Sequence, residues 1–168
     1  MANKGKDWEG VVRSTLEQHE GVSLDRFPDP QMGYKGIRNI CDFGVYVYPF
    51  KIYLECKTVK GNTLPFGNIT DNQREGMLEK SQIKGCVGIV LVWFSDWDTV
   101  VAIDVDYIQM RREGGAKSFN IKELDGELRG PFVEVPCRVP RTNPKIDKDD
   151  LVRVLTDFGR RKWTSNSN

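Results

Sequence analysis

The spacing of hydrophobic positions predicts helices in four parts of the chain. Residues 5–20 carry apolar side chains at helical spacing, and Gly21 follows them as a stop signal. A second helix is predicted to begin at Thr70, where Gln73 completes a capping-box pattern, and to end near Gly85. Two later helices are predicted over residues 106–112 and 148–158.

Strand patterns fill most of the sequence between these helices. The segment CVGIVLVWF, residues 86–94, is continuously apolar, as a central strand covered on both faces should be. Further strands are predicted at residues 22–27, 42–48, 52–58, 99–105 and 131–135. Residues 27–39 and 59–68 are rich in Gly and Pro and predict loops. This order of elements predicts an α/β fold with a central mixed β-sheet flanked by α-helices.

Length and composition indicate a single domain. The chain has 168 residues, of which 39% are hydrophobic and 29% charged, and this is enough to bury a core without disulfides or zinc. Its four cysteines are widely separated and form no CxxC pair, which predicts reduced thiols. We therefore predict one domain over residues 1–159, containing the short loop at 27–39, and a disordered basic and polar tail at 160–168.

Targeting signals and net charge say little about where the protein is located or what it binds. No apolar run approaches the ~20 residues that span a bilayer, and the first ten residues lack the apolar core of a signal peptide. We therefore expect a cytoplasmic location and no membrane partner. The formal net charge of +1 does not by itself indicate a nucleic-acid partner. Basic residues do cluster near Lys4 and Lys6, although any single cluster is more simply a solvated surface.

Charged side chains interrupt the apolar pattern of the hairpin predicted over residues 42–58. Because side chains alternate across a strand, Glu55 and Lys57 share one face. A two-residue turn at the Pro–Phe dipeptide places Asp42 opposite Lys57 and Gly44 opposite Glu55. A register slip of two residues keeps all of these side chains on the same face. We therefore expect the two acids and the lysine to lie together, with open space above Gly44.

This arrangement suits a divalent cation that acts on a phosphodiester. Mg²⁺ prefers oxygen ligands, usually one or two carboxylates with water and a substrate phosphate. The predicted protein ligands are Asp42, Glu55 and the main-chain carbonyl of Cys56, with Mn²⁺ as a substitute ion. The metal would activate water and neutralise charge on the phosphate, and Lys57 would orient that water or stabilise the developing charge. A Glu–x–Lys tripeptide alone is more often a solvated pair, so the upstream Asp42 is essential to this interpretation.

Several segments together resemble the RecU-type Holliday-junction resolvases of the PD-(D/E)xK nuclease superfamily. The segment NKGKDWE is similar to the family's first helix, YLECKT to the end of its catalytic hairpin, and LPFGNITDNQ to the loop and helix that follow. The segment AKSFNIKEL is similar to a later stretch, and the similarity covers most of residues 3–125. Outside the hairpin, the matching positions are Asn3, Gly5, Glu9, Pro65, Asn68 and Gln73.

The resemblance implies a restriction-endonuclease-like core and a catalytic role for five residues. By this resemblance the two hairpin acids bind metal and Lys57 is the catalytic lysine. Glu9 would complete the acidic cluster from the first helix, and Gln73 would lie beside the site. Two simpler interpretations stay open. Glu9 would then be an exposed helix charge paired with Arg13, and Gln73 would serve only as part of the helix cap.

The chain departs from the family in the segment before Asp42. Members of the family usually carry a long insertion there, a stalk that enters the centre of the junction, whereas this chain has only the loop at residues 27–39. The short stalk leaves the nuclease chemistry intact and puts junction selectivity in question. It fits a phage-encoded enzyme of the host-cell cytoplasm that trims branched DNA before packaging. The predicted DNA-binding residues are Lys4, Lys6, Arg13, Tyr34, Lys35 and Arg38.

The resulting prediction is a Mg²⁺-dependent endodeoxyribonuclease that resolves four-way junctions or other branched DNA by paired nicks in recombination and repair. By the resemblance it is a homodimer, and no small-molecule cofactor is expected. Two alternatives stay open. One is a nuclease of the same superfamily that acts on duplex or other DNA in repair or restriction. The other is a non-catalytic DNA-binding accessory protein of recombination.

Overall fold

The computed structural model describes residues 4–28, 39–126, 130–140 and 142–164, apart from the side chains of residues 5 and 6. The α-helices in these ranges are α1 (Lys4–Glu17), α2 (Asp71–Ser81), α3 (Val105–Glu113) and α4 (Lys148–Trp163). The strands are β1 (Ser23–Arg26), β2 (Phe43–Val47), β3 (Phe50–Val59), β4 (Thr63–Pro65), β5 (Cys86–Phe94), β6 (Thr99–Asp104), β7 (Ser118–Asn120), β8 (Phe132–Val135), β9 (Cys137–Arg138) and β10 (Lys145–Ile146).

A six-stranded sheet in the order β1-β2-β3-β5-β6-β8 forms the centre of the fold. Strands β3 and β5 run parallel to each other, and the other neighbouring strands of this sheet are antiparallel. Strand β5 lies between β3 and β6 and is buried at every position after Cys86. The continuously apolar segment is therefore a central strand, as predicted.

Helices cover both faces of the sheet, and alternate residues of β5 pack against them. Leu91 and Trp93 belong to a core with residues of α1 and α4, including Leu16 and Phe158. Val90, Val92 and Phe94 point to the other face of the sheet and belong to a second core with residues of α2 and α3. The predicted α/β class, a mixed sheet flanked by helices, is confirmed. None of the described helices is long and apolar enough to cross a bilayer.

Helix α1 is fixed to the sheet through Trp8. The indole is fully buried, and its ring centroid lies 6.1 Å from that of Trp93. Its Nε1–H donates a hydrogen bond of 3.3 Å to the main-chain oxygen of Leu91. Because Glu9 is the next residue of the helix, this anchor also determines where the Glu9 carboxylate lies.

The β2–β3 hairpin turns one residue earlier than the sequence pattern predicts. Val47 pairs with Phe50, so Tyr48 and Pro49 form the turn. The reason lies in burial, since the Phe50 ring is 3% exposed and the Tyr48 side chain 83% exposed. Phe50 packs directly on Gly159 of α4, where an added Cβ would lie 2.5 Å from the ring. Phe50 therefore occupies the first position of β3, where α4 buries its ring.

This register corrects two expected pairings. Gly44 lies opposite Tyr53, not Glu55, and continuing the pairing places Asp42 opposite Glu55 rather than Lys57. The shift is two residues, and a shift of two preserves the face on which each side chain lies. The expected grouping of the two acids and the lysine therefore survives the change in pairing.

Other corrections concern element ends and short strands. The first helix ends at Glu17, three residues earlier than predicted, and the loop predicted over residues 59–68 contains β4, which pairs antiparallel with β7. Helix α4 continues through residues predicted to be a disordered tail, because the Trp163 Nε1–H donates to the Cys86 oxygen at 2.8 Å. Most of the predicted short stalk, residues 29–38, lies outside the described residues.

Asp104 is a partly buried carboxylate at the junction of β6 and α3. It caps the helix by accepting a hydrogen bond of 2.9 Å from the Asp106 N–H. Burial raises the pKa of this carboxyl to about 6, against the opposing effect of that hydrogen bond. Since the folded pKa lies above the ordinary value near 4, stability contributed by the protonated form is complete below about pH 4 and is lost as the pH rises through about 6.

The Asp104→Asn variant is therefore expected to be more stable than wild type at pH 7.5, by roughly 1–2 kcal/mol. Asparagine retains the capping oxygen and removes the partly buried charge. Urea denaturation at pH 4 and pH 7.5 measures the difference, with the exposed-acid variant Asp125→Asn as the matched control. An unchanged pH dependence in Asp104→Asn would show that another group is responsible.

Candidate active site

Four polar side chains converge where β2 begins beside β3. The Lys57 ammonium lies 2.7 Å from Oε1 of Glu55, and the Gln73 Nε2–H donates to the same oxygen at 2.7 Å. The Asp42 carboxylate accepts a hydrogen bond of 2.7 Å from the main-chain N–H of Cys56. The structure thus brings together Asp42, Glu55, Lys57 and Gln73, as the sequence predicts.

The position of Asp42 follows from the length of β2. Strand β2 begins at Phe43, opposite Leu54, so the N–H of Cys56 lies beyond the last pair of the ladder. The Asp42 side chain takes the place of a strand partner for that N–H. This contact ties the carboxylate to β3 and leaves the edge of β3 uncovered by β2 from Glu55 onward.

Glu55 is the most unusual group of the site. The residue is only 2% exposed, and its Oε2 atom is buried with no hydrogen-bond partner among the described residues. Burial, together with the Asp42 charge, raises the pKa of this carboxyl to about 7 against the opposing effect of Lys57. A buried carboxylate with an unsatisfied oxygen is unfavourable unless a cation or donor occupies that position.

Gln73 serves the helix cap and the site at the same time. Its N–H donates to Thr70 Oγ1 at 3.3 Å and its Oε1 accepts from the Thr70 N–H at 3.1 Å, so the predicted capping box is confirmed. Its Nε2 holds Glu55, and its Oε1 lies 3.4 Å from the Lys57 ammonium. The interpretation of Gln73 as a cap alone is therefore incomplete.

Glu9 approaches the site from α1, and it does not form the pair with Arg13 that the simpler interpretation expects. Arg13 pairs with Glu17 at 2.8 Å, so the predicted alternative of a Glu9–Arg13 pair is wrong. The Glu9 carboxylate lies 3.8 Å from the guanidinium of Arg26, on β1. Its negative charge also contributes to raising the pKa of Glu55.

Two carboxylates of the site, Asp42 and Glu55, fit a divalent cation. Within the described ranges, no three His, Cys, Asp or Glu side chains form a ready-made metal cluster. Glu9 therefore does not join Asp42 and Glu55 in a preassembled three-carboxylate set, and its role as a ligand stays a prediction. Mg²⁺ commonly uses one or two carboxylates together with water and phosphate. The unsatisfied Oε2 of Glu55, close to the Asp42 charge, is the observation that fits such an ion.

Only part of the predicted DNA-binding set lies in the described structure. Lys4 is exposed at the start of α1, and Arg13 is half-exposed in its pair with Glu17. Four predicted DNA contacts lie outside what the structure describes: the side chain of Lys6, Tyr34, Lys35 and Arg38. Their role stays a prediction.

A cavity of about 520 Å³ opens beside Lys57, and we call it the edge cavity. Its lining residues are Lys4, Glu9, Cys56, Lys57, Thr58, Lys60 and Ser95. Sequence reasoning missed Thr58, Lys60 and Ser95. The alternation that places Cys56 on one face of β3 extends to Thr58, but the pairing of the strand ends that brings Ser95 beside it is not visible in the sequence.

Comparison with known proteins leaves the family open. No known protein family matches the chain, and no curated protein matches it. Among solved structures, the fold is similar to Hjc, a Holliday junction resolvase from the archaeal hyperthermophile Archaeoglobus fulgidus. That similarity has 15% sequence identity and a TM-score of 0.47, and it covers 61% of this chain and 78% of the other. The resemblance to RecU-type resolvases stays a prediction.

Proposed function

We propose that this chain is a divalent-metal-dependent endodeoxyribonuclease of the cytoplasm that cuts four-way junctions or other branched DNA as a homodimer. The proposal rests on the burial and the hydrogen bonding of Glu55. This carboxylate is buried, is held at one oxygen by Lys57 and Gln73, and has its other oxygen unsatisfied beside Asp42. Two acids and an amine in this state favour a cation and a phosphate as the missing partners.

A purely structural role explains the cluster poorly. Lys57 neutralises one carboxylate, but Asp42 adds a second negative charge that raises the pKa of Glu55. Burying charges costs more free energy than a single ion pair usually returns. Buried groups with such strongly shifted pKa values are concentrated at functional sites. We therefore interpret the cluster as a centre that is stabilised when its ligand binds.

Each side chain of the site has its own proposed role. Asp42, Glu55 and the main-chain carbonyl of Cys56 would hold Mg²⁺ or Mn²⁺, with Glu9 as a candidate fourth ligand. When bound, such an ion supplies Lewis acidity at the phosphate and lowers the pKa of water. Lys57 presents an ammonium next to the phosphate and stabilises negative charge that develops there. Gln73 fixes the orientation of the Glu55 carboxylate through its Nε2–H.

The branched-DNA substrate and the homodimer rest on the sequence resemblance. In a two-fold symmetric dimer, two equivalent sites face two equivalent strands, which suits paired nicks across a four-way junction. Binding through phosphates would make the affinity fall steeply with salt. These parts of the proposal are separable from the nuclease chemistry, because a different DNA substrate would use the same acids and lysine.

A panel of synthetic substrates tests the proposed specificity. Wild-type protein in Mg²⁺ or Mn²⁺ is expected to nick a four-way junction faster than a flap, a linear duplex or a single strand with the same arm sequences. Preference for linear duplex would instead favour a repair or restriction nuclease. Binding without cleavage in any divalent ion would favour a non-catalytic accessory protein and would overturn the proposal.

Replacing Gln73 by Ala is expected to lower the cleavage rate by roughly tenfold, because Glu55 loses the donor that orients it. The substitution also breaks the capping box, which costs about 1 kcal/mol of stability. Thr70→Ala is the matched control, since it breaks the same box without removing the contact between Gln73 and Glu55. Equal loss of activity in the two variants would mean that only the helix cap matters.

A further inference from the structure

Helix α2 contacts both parts of the chain that carry the acids of the site. The Gln73 Nε2–H donates to Oε1 of Glu55 at 2.7 Å. One turn later in the helix, Gly76 lies against Ile40, which comes just before Asp42 in the chain. Residues three apart lie on the same face of a helix, so a single face of α2 meets β3 and the segment that leads into β2.

The contact between Gly76 and Ile40 is too close for a side chain at position 76. A Cβ added at Gly76 would lie 2.2 Å from Cγ2 of Ile40 and 2.7 Å from its Cβ. Carbon atoms in contact are normally about 3.5–4.0 Å apart. A change of rotamer does not move the Cβ of Ile40, so it cannot relieve such a clash. The Ile40 side chain therefore packs on the main chain of α2, and we call this place the α2 notch.

The segment held in the α2 notch includes Asp42. Residues 39–42 lie outside helices and strands. The main-chain oxygen of Asp42 accepts a hydrogen bond of 3.0 Å from the Phe27 N–H, and its carboxylate accepts one of 2.7 Å from the Cys56 N–H. These bonds tie Asp42 to the chain after β1 and to β3. Ile40 fixes the segment on its other side, where it packs against the core beneath α2.

Helix α2 is itself firmly seated on the sheet. The Met77 side chain is fully buried, and a Cβ added at Gly88 of β5 would lie 3.1 Å from the Cβ of Met77. The capping box formed by Thr70 and Gln73 also fixes the start of the helix. A side chain at position 76 would therefore displace residues 39–42, which belong to no helix or strand, rather than the helix.

We propose that Gly76 and Ile40 are positioning residues of the metal site, which set where Asp42 lies relative to Glu55. The inference rests on the proposed function, because it takes the two acids as ligands of a divalent ion. Such an ion requires its oxygen ligands at about 2.0–2.1 Å, so a displacement of Asp42 on the order of 1 Å would weaken its binding. Ile40 has an apolar side chain and Gly76 has none, so neither takes part in breaking the bond.

The Gly76→Ala variant is expected to bind Mn²⁺ about tenfold more weakly than wild type, because Asp42 is displaced. Electron paramagnetic resonance measures free Mn²⁺ during a titration, so the affinity is obtained without DNA and without cleavage. All titrations are made well below the melting temperature of each variant. Glu55→Gln identifies the ion at the site, since it should also lose at least about tenfold in affinity.

Gly159→Ala is the matched control, because it introduces a similar clash at a helix glycine far from the acids. The added Cβ would lie 2.5 Å from the Phe50 ring. At about 3.3 Å per residue, Phe50 lies ~16 Å along β3 from Glu55. This variant should have a lower melting temperature and wild-type affinity for Mn²⁺. An equal loss of affinity in Gly159→Ala and Gly76→Ala would mean that general destabilisation is the cause, and would overturn the inference.

The Ile40→Gly background tests the contact itself. Without the Ile40 side chain, the nearest atom to a Cβ at position 76 is the Cα of residue 40, at 3.7 Å, which is an ordinary contact. Gly76→Ala should therefore change the Mn²⁺ affinity by less than about twofold in this background. Ile40→Gly alone should weaken binding about three- to tenfold, because Asp42 loses its support. The same tenfold effect of Gly76→Ala in both backgrounds would overturn the inference.

The outcomes separate this inference from the proposed function. Wild-type Mn²⁺ affinity in Gly76→Ala would overturn the inference and leave the nuclease proposal in place. If Gly76→Ala does not fold, Ile40→Gly decides, and wild-type affinity in that variant would have the same meaning. If the wild-type chain bound no Mn²⁺, or Glu55→Gln bound it as tightly as wild type, the proposed metal site would fall and the inference with it.

Discussion

The Lys57→Ala variant is expected to cut DNA at least about 100-fold more slowly than wild type while still binding it. Among the described residues, Lys57 is the one cation that contacts Glu55, with its ammonium 2.7 Å from the carboxylate and the side chain 21% exposed. It therefore faces both the buried acids and the edge cavity through which DNA would pass. Removing it takes positive charge away from the position where negative charge would develop on the phosphate.

Folding has to be separated from chemistry in this experiment. Without Lys57, Glu55 is a buried carboxyl beside Asp42, and its pKa should rise further, because Lys57 now opposes the effects of burial and of Asp42. Some loss of stability is therefore expected, and cleavage should be measured well below the melting temperature of each variant. Lys57→Met, which keeps the length of the side chain, should lose cleavage equally. Lys84→Ala should cut like wild type, and cutting by Lys57→Ala at the wild-type rate would refute the role of the lysine.

The Trp8→Ala variant is expected to lose about 3–5 kcal/mol of unfolding free energy. Trp8 is fully buried between α1 and the sheet, beside Trp93, and it donates a hydrogen bond to Leu91. Its removal leaves a large cavity beneath α1 and removes the hydrogen bond to Leu91. Since Glu9 follows it directly, the substitution should also displace the one acid that reaches the site from α1.

Urea denaturation followed by far-UV circular dichroism measures this loss. Trp97→Ala is a matched control, because Trp97 is 48% exposed and its replacement should change stability by no more than about 0.5 kcal/mol. Trp8→Phe should fall between the two, since it keeps a buried ring and loses the N–H. A loss below about 1 kcal/mol in Trp8→Ala would mean that α1 is not anchored at this residue.

Local patterns in the sequence predict most of the elements and the grouping at the site. Alternation on β3 is sufficient to place Glu55 and Lys57 on one face, and a slip of two residues in the hairpin leaves that result intact. The capping box at Thr70 and Gln73 is also a local pattern, and the structure confirms it. These features depend on residues close together in the chain.

Features that depend on distant parts of the chain could not be predicted in this way. The hairpin turn is displaced because Phe50 packs on Gly159, more than a hundred positions later in the chain. Strands β4 and β7 have three residues each and pair across the chain, so neither has a recognisable period. Glu9 contacts Arg26 on β1, a residue that its own helix pattern does not indicate. The unsatisfied hydroxyls of Thr58 and Ser95 emerge only when the strand ends are assembled.

The most direct test of the central claim compares wild type with Glu55→Gln in a DNA-nicking assay with and without Mg²⁺. Glutamine has nearly the same shape but cannot carry the charge that a cation requires, and Glu79→Gln, an exposed acid of α2, is the control. We expect wild type and Glu79→Gln to produce nicked DNA only when the ion is present, and Glu55→Gln to produce none above background. Cleavage by Glu55→Gln at the wild-type rate, or wild-type cleavage that persists in EDTA, would contradict the assignment of this buried carboxylate as the metal-dependent centre.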